Sequence, residues 1–185
     1  MRNLSKFTAK RGADVRGFTL IELMVGVVII SVAIVAIVAR VNTTRQNTQV
    51  NTELANLETI VAAAKSSFSG QTSYAGLTNA ILLSANAFPS QMVNAGAVTN
   101  SWSGPVTATP QTVPAAVNTR IQVAYDGVPT GACINLINSA SKTADGIYVT
   151  ATPIKPIGGV LDTAANIATA CGTASTVAVN FIYNG

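Results

Sequence analysis

The feature that most constrains this chain is a long apolar run near its N-terminus. From Phe18 to Ala39 the residues are apolar except at Thr19, Glu22, Gly26 and Ser31. At about 1.5 Å per residue, a helix of this length measures roughly 33 Å, and can cross a hydrocarbon core of about 30 Å. Because basic residues cluster before the run, the positive-inside rule predicts a cytoplasmic N-terminus and an exported remainder.

An ordinary secretory signal would be cut just after its apolar core, at a small-residue site. Here the apolar run continues directly into the polar stretch RVNTTRQNTQ. Ala36 and Ala39 permit a weak A-x-x-A site, but the run is too long for a typical signal core and carries an acid near its start. We therefore expect 18–39 to stay in the mature chain as a transmembrane segment.

The positive charge of the chain belongs to its first residues. Residues 1–17 contain five basic residues and one acid, whereas the rest of the chain balances six Lys/Arg against six Asp/Glu. A nucleic-acid-binding protein would carry its basic residues on a folded surface. The sequence thus predicts a basic leader over 1–17 and no specific nucleic-acid partner.

The residue inventory argues against an enzyme. The chain has no histidine, no nucleotide-binding glycine loop, no nucleophile motif and no pair of carboxylates at a useful spacing. The acids beyond the apolar run are interpreted as scattered and solvated: Glu53, Glu58, Asp126, Asp145 and Asp162. We expect no catalytic residue and no cofactor.

The two cysteines are Cys133 and Cys171. Because the chain carries a membrane-targeting segment, an intramolecular disulfide in an oxidising compartment is the favoured interpretation. Two thiols without histidine rarely hold zinc, so no metal site is expected.

A second helical pattern follows the polar stretch. Apolar residues recur at spacings of 4, 3, 4, 3 and 4, which marks one helical face; they are Val50, Leu54, Leu57, Val61, Ala64 and Phe68. The pattern predicts a single helix over 18–69 that stops at Gly70 and packs against a sheet of the same chain. A coiled coil is the alternative, but three heptads without flanking charge alternation are marginal for one.

The remainder, 70–185, is predicted to form a globular head. Alternation predicts strands over 120–125, 147–150 and 176–183, and helix-like patterns cover 77–85, 131–138 and 161–170. Most of 71–119 reads as a long structured loop, and Asp126-Gly127 and Asp145-Gly146 read as turns. The expected fold class is α+β, a long helix on an antiparallel sheet, with the two cysteines joining short helices.

The sequence Gly17-Phe18-Thr19-Leu20-Ile21-Glu22 after a short basic leader resembles the prepilin signal of type IV pilins and pseudopilins. The resemblance implies the pilin fold, cleavage between Gly17 and Phe18 by a membrane prepilin peptidase, and N-methylation of Phe18. It also implies a homopolymer built by an assembly platform and its ATPase. The head would be periplasmic while the chain is anchored in the inner membrane, and extracellular in the pilus.

Glu22 has a predicted role in assembly. A carboxylate in an apolar span costs about 2.5–3.5 kcal/mol on insertion scales for comparable groups. Cleavage creates an amine at Phe18, and pairing it with the Glu22 carboxylate of a neighbouring subunit would neutralise both charges. The alternative is that Glu22 stays solvated near the cytoplasmic interface.

Two further features refine the resemblance. Asn100-Ser101-Trp102-Ser103-Gly104 is similar to an Asn-x-Trp-Gly-Gly pattern of type IVb pilins, with serine in place of the first glycine, and Trp102 is interpreted as a packing anchor. Ala39 stands where the commonest branch of the family has proline. The resemblance implies a major type IVb pilin; a minor pilin, a type II secretion pseudopilin and a DNA-uptake pilin are the alternatives.

Overall fold

The computed structural model of the chain describes residues 19–112 and 117–185, apart from the side chains of 36, 38–40, 42, 43 and 117. The described helices are α1 (Leu20–Ser67), α2 (Asn79–Ser84), α3 (Thr130–Ala140), α4 (Ala164–Cys171) and a 3₁₀ turn (Ser90–Met92). The described strands are β1 (Val93–Asn94), β2 (Ala97–Val98), β3 (Val106–Gln111), β4 (Val117–Pro129), β5 (Gly146–Val149), β6 (Thr152–Lys155) and β7 (Thr176–Asn184).

The chain divides into two units, residues 1–42 and 43–185. In the first unit, the large apolar side chains of α1 between Leu20 and Val35 are exposed, with exposed fractions of 53–77%. A search of the described residues found no helical stretch both long and apolar enough to span a bilayer.

In the second unit, α1 packs on the head through one face. Val50, Leu57, Ala64 and Phe68 are at most 7% exposed, and these are positions of the predicted 4-3-4 pattern. Burying an aliphatic side chain of this size contributes about 1.5–3 kcal/mol, so this face accounts for much of the attachment of α1. The helix ends at Ser67. Gly70 follows with a φ of +87°, a left-handed conformation that glycine adopts without steric strain.

The head is built on a five-stranded antiparallel sheet with the strand order β3-β4-β7-β5-β6. β7 lies at its centre, paired with β4 on one side and β5 on the other, with Phe181 opposite both Val123 and Ile147. Both Phe181 and Val123 are fully buried. The α+β fold with an antiparallel sheet is thus confirmed.

Three strands, the short β1 and β2 and the longer β3, lie where the sequence predicted a long loop. β3 pairs with β4 from Val106↔Tyr125 to Pro110↔Ile121, and the register shifts after Pro110. A proline is compatible with this strand because β3 is an edge strand, and its free side needs no hydrogen-bond donor. The prediction that most of 71–119 is a long loop was therefore wrong at β1, β2 and β3.

The prediction of a turn at Asp126-Gly127 was also wrong. Both residues lie within β4, where the pairing with β7 shifts register between Tyr125 and Val128. Gly127 has a φ of +69°, so the dipeptide forms a bulge in the strand.

The disulfide joins α3 to the end of α4. Cys133 and Cys171 are bonded, with their Cα atoms 5.9 Å apart, and both are fully buried. The disulfide thus connects two short helices at a separation of 38 residues, as the sequence predicted.

Thr163 caps α4 by accepting a hydrogen bond from the backbone N–H of Asn166 at 3.4 Å.

Candidate functional site

The predicted processing site lies outside the described residues. Gly17 and Phe18, the residues on either side of the expected cut, both precede the described part of the chain. Cleavage and N-methylation at this position therefore remain predictions from sequence.

The described chain begins with a helix cap. The backbone N–H of Glu22 donates to the carbonyl oxygen of Thr19 at 3.1 Å and to its hydroxyl at 3.4 Å. Thr19-x-x-Glu22 has the spacing of a capping box, in which threonine caps the first turn and the acid reaches back to it. The exposed Glu22 carboxylate also lies in the first turn, where the helix dipole favours negative charge.

We infer from this spacing a second role for Glu22, as a cap, beside charge pairing; the hydrogen bonds that the described structure gives to Thr19 come from the Glu22 backbone N–H and not from its carboxylate. A capping box accepts glutamine as well as glutamate, whereas pairing with an amine requires the negative charge. The two roles are therefore separable by substitution.

Glu53 was predicted to be solvated, and this was wrong: only 1% of it is exposed. Its carboxylate accepts hydrogen bonds from the backbone N–H of Ser101 at 2.7 Å and from the hydroxyl of the same serine. The Asn56 amide donates to its other oxygen at 3.4 Å. The carboxylate thus fixes the loop around Ser101 to α1.

A sequence signal for this burial was present. Glu53 lies three residues after Val50 and four before Leu57, which places it on the buried face of the helix. The periodicity analysis counted only apolar residues, so this polar member of the face was missed.

Asn100 holds the turn over 100–104 together. Its side-chain oxygen accepts from the backbone N–H groups of Trp102 at 2.9 Å and Gly104 at 3.0 Å, and its amide donates to the carbonyl oxygen of Asp126 at 2.7 Å. Trp102 is half-buried and packs against the hydrophobic core. The turn is thereby tied to the bulge of β4.

The geometry of this turn requires glycine at position 104. A Cβ atom on Gly104 would lie 1.8 Å from the carbonyl oxygen of Asp126, which no side chain can tolerate. Ser103 has a φ of +65°, a left-handed conformation that glycine adopts more easily. The structure thus gives a physical reason for glycine at both positions of the pattern, one of which is serine here.

Two tyrosines lie deep in the head. Burial raises the pKa of Tyr125 well above its ordinary value, and the nearby Glu53 carboxylate adds to the effect; its hydroxyl donates to the backbone oxygen of Glu53 at 3.4 Å. Burial likewise raises the pKa of Tyr183 to about 12; the nearby Thr143 hydroxyl opposes the rise, and the carboxylates of Glu58 and Asp145 add to it.

The remaining acids of the head differ in exposure. Glu58 is exposed, whereas Asp126, Asp145 and Asp162 are partly buried. Asp145 accepts a hydrogen bond from the backbone N–H of Asn184, and Asp162 accepts from the Asn166 amide at 2.8 Å. The carboxylates of Asp145 and Asp162 thus have structural contacts.

One cation of the head is also engaged. The Lys155 ammonium donates to the carbonyl oxygens of Ser141 at 2.7 Å and Ala144 at 2.6 Å, just after α3. A lysine at the end of a helix satisfies carbonyl groups that lack helical partners. It is therefore poorly placed to contact a nucleic-acid phosphate.

Within 19–112 and 117–185, no three His, Cys, Asp or Glu side chains lie close enough together to hold a metal ion. Among these residues, the second unit is instead a packed head that includes the C-terminal part of α1, and the first unit exposes apolar side chains.

Comparisons with known proteins agree with this arrangement. A family model described as PilS N terminal matches residues 47–184, and one described as a prokaryotic N-terminal methylation motif matches residues 13–38. The comparison with curated proteins gave no match.

Solved structures share the fold. The crystal structure of a type IVb pilin from Salmonella typhi is 23% identical, with a TM-score of 0.56 and coverage of 73% of this chain and 99% of that one. TcpA, a type IV pilin from the Vibrio cholerae El Tor biotype, is 14% identical, with a TM-score of 0.58 and coverage of 74% and 99%.

Proposed function

The chain belongs to the PilS family of type IV pilins, and from this premise we propose that it is the major structural subunit of a type IV pilus. It is a structural protein and not an enzyme. One observation carries the proposal: a methylation motif over 13–38 is joined in a single chain to a PilS-family head over 47–184.

The proposed pathway follows from the leader and the apolar run. The inner membrane holds the precursor through 18–39, with the leader cytoplasmic and the head periplasmic. Prepilin peptidase cuts between Gly17 and Phe18 and the new N-terminus is methylated. The assembly platform and its ATPase then add the subunit to an extracellular homopolymer that serves adhesion, aggregation, motility or conjugative contact.

The exposed apolar side chains of α1 support this assembly mode. A monomer in water would leave these side chains, such as Leu20 and Ile21, hydrated at an unfavourable free energy. Lipid covers them before assembly, and the same segment of neighbouring subunits covers them in the filament.

The first experiment is mass spectrometry with N-terminal sequencing of protein sheared from cells. We expect N-methylated Phe18 at the N-terminus of the most abundant filament protein. The same N-terminus on a scarce component would favour a minor pilin or a secretion pseudopilin, and a chain starting at Met1 or after Ala39 would contradict the proposal.

The second experiment separates the two roles of Glu22. We expect Glu22→Ala to leave cleavage and membrane insertion intact but to abolish filaments, while Glu58→Ala, an exposed acid of the head, leaves them normal. Glu22→Gln keeps the capping pattern but removes the charge. Filaments lost with glutamine support pairing with the Phe18 amine, whereas filaments retained with glutamine assign Glu22 to the cap alone.

DNA uptake is a weaker candidate because cations are few on the head. Of Lys65, Arg120, Lys142 and Lys155, the last is engaged with helix carbonyl groups. Loss of DNA binding by sheared filaments on joint substitution of Arg120, Lys142 and Lys155 would favour this function.

A further inference from the structure

One side chain makes two hydrogen bonds to the outer edge of β3. The Asn79 amide nitrogen donates to the carbonyl oxygen of Val106 at 2.7 Å, and the Asn79 side-chain oxygen accepts from the backbone N–H of Ala108 at 2.8 Å. Val106 and Ala108 are both buried. A single amide thus engages a donor and an acceptor of the strand backbone at once.

The two backbone groups point away from the rest of the sheet. In the described sheet β3 is a terminal strand with β4 as its neighbour, and the groups of a strand point alternately to its two sides. The carbonyl oxygen of Pro105 accepts from the backbone N–H of Asp126 at 3.0 Å, so the odd-numbered residues point to β4. The even positions 106, 108 and 110 therefore face the outer edge.

Asn79 takes the place that a further strand would have on this edge. An added strand would donate one N–H to the Val106 carbonyl oxygen and would accept the N–H of Ala108 with one of its own carbonyl groups. A side-chain amide carries the same donor and acceptor as a peptide group. The pair of bonds therefore reproduces one step of a β-ladder.

The edge also lacks free donors beyond Ala108. Pro110 is the next residue that faces outward, and proline has no backbone N–H. The backbone N–H of Thr112 donates to the Gln122 side-chain oxygen on β4 at 2.8 Å. The even positions from 108 to 112 thus present no unpaired N–H to another chain.

The position of Asn79 is fixed by its surroundings. It is the first residue of α2, and the hydroxyl of the preceding Thr78 caps this helix by accepting from the backbone N–H of Ile81 at 3.5 Å. Leu77 and Leu82 lie on either side of it in sequence and are at most 1% exposed. The start of α2 is therefore anchored in the core, and the amide is held against β3.

The opposite edge of the sheet is covered in another way. On β6 the carbonyl oxygen of Ile154 accepts from the backbone N–H of Asp162 at 2.8 Å, so a later segment of the chain lies along this strand. On β3 the corresponding contacts depend on one side chain. A single substitution can therefore open that edge.

We propose that Asn79 is an edge-closing residue, which prevents the β3 strand of a second copy of this chain from adding to the sheet. An open strand edge is a template for pairing with another chain. Without the amide, Val106 and Ala108 expose a carbonyl and an N–H, and β3 of a second copy carries the same two groups for antiparallel pairing. The inference goes beyond the proposed function, since it concerns a contact that the folded head excludes.

The test uses the full-length chain in detergent micelles, which cover 18–39. We expect Asn79→Ala to leave the disulfide and the circular dichroism spectrum unchanged. Hydrogen exchange at the Ala108 amide should become at least about tenfold faster, because this N–H loses its acceptor. The share of dimers and larger species, measured by light scattering, should rise at least about fivefold. Asn94→Ala, at an exposed position on β1, is the matched control and changes neither quantity.

A second variant separates edge pairing from loss of the fold. Thr107 is an exposed residue of β3, and a lysine there opposes the pairing of two copies through like charges. Asn79→Ala together with Thr107→Lys should keep the fast exchange at Ala108 but return to the size of the wild type. Association through general unfolding would not be relieved in this way.

An unchanged exchange rate at Ala108, or an unchanged size of Asn79→Ala, overturns the inference. So does association that persists in the double variant, since Asn79 would then serve only the fold of one chain. Filament yield is not a readout of this test, so failure of the proposed function leaves its result unaffected.

Discussion

Ser103 and Gly104 are neighbours in one turn of the head, and substitutions at the two positions are expected to change stability in opposite directions. Ser103 holds a left-handed φ of +65°, and the Cα of Gly104 faces the backbone of Asp126. We expect Ser103→Gly to raise the free energy of unfolding by about 0.5–1 kcal/mol, which is the relief of strain less the added entropy of the unfolded chain.

Gly104→Ala is its counterpart and is expected to lower the free energy of unfolding by about 3 kcal/mol or more, because the methyl group meets rigid backbone. Urea unfolding followed by the fluorescence of Trp102 measures both variants, since it is the sole tryptophan. A stabilising Gly104→Ala would contradict the described turn.

Glu53 is a buried acid whose described partners are neutral donors. We expect Glu53→Ala to destabilise the head by about 2 kcal/mol, because the Ser101 N–H and hydroxyl lose their acceptor. Glu53→Gln should cost less, since it keeps one oxygen. Glu58→Ala, which removes an exposed acid from the same helix, should change stability by no more than about 0.5 kcal/mol.

The buried tyrosines make the head sensitive to alkali. A phenol whose pKa is higher in the folded chain than in the unfolded one stabilises the fold below pH 10, and this contribution is lost as the pH rises from about 10 towards 12. With the pKa of Tyr183 at about 12, the loss is about 1 kcal/mol at pH 11.

The measurement is the unfolding free energy at pH 8 and pH 11 for the wild type and for Tyr183→Phe. The phenylalanine variant should lose less stability than the wild type between these values. Equal losses would mean that Tyr183 ionises as readily in the folded chain as in the unfolded one.

At the scale of elements, the disulfide between α3 and α4 closes a 38-residue separation. The chain-entropy account assigns a loop of this length about 4 kcal/mol. Replacing both Cys133 and Cys171 by alanine should lower the unfolding free energy by roughly that amount. Wild-type protein unfolded under reducing conditions is the control and should match the double variant; an unchanged midpoint would contradict the prediction.

Elements whose pattern repeats were predictable from sequence. The buried face of α1 follows one period over several turns, so local sequence and tertiary packing agree there. β7 was predicted from the alternation of its residues, although in the structure the residues from Val179 to Tyr183 are buried on both faces of the sheet. β3 was missed because Pro110 and the surrounding turn residues indicate a loop, and only its place at the sheet edge makes the proline acceptable.

The candidate site was predictable only where it depends on a linear motif. The processing signal and Glu22 are recognised from contiguous residues. The acceptor role of Glu53 depends instead on Ser101, 48 residues away. Helical spacing marks Glu53 as a member of the buried face, but nothing local identifies Ser101 as its partner, because that contact arises from the tertiary fold.

At the scale of the whole molecule, residues 43–185 form a compact unit with its own core. We expect a fragment comprising these residues to be soluble and to unfold cooperatively with its disulfide formed, because the apolar segment contributes nothing to that core. Circular dichroism during heating measures this. A broad transition without cooperativity would show that the head depends on the residues before it.

The central place of β7 has a consequence for how the protein is made. Of the strands in the described sheet, the one that joins its two halves is the last to be synthesised. Until it arrives, β3–β4 and β5–β6 are separate hairpins, each with an unpaired inner edge, and isolated hairpins are marginally stable. The sheet therefore stays open until the last strand is made, which suits the export that the proposed function requires. A chain whose synthesis stops before β7 keeps two unpaired strand edges, which promote aggregation and proteolysis. The sheet can therefore be completed only in a chain that includes β7.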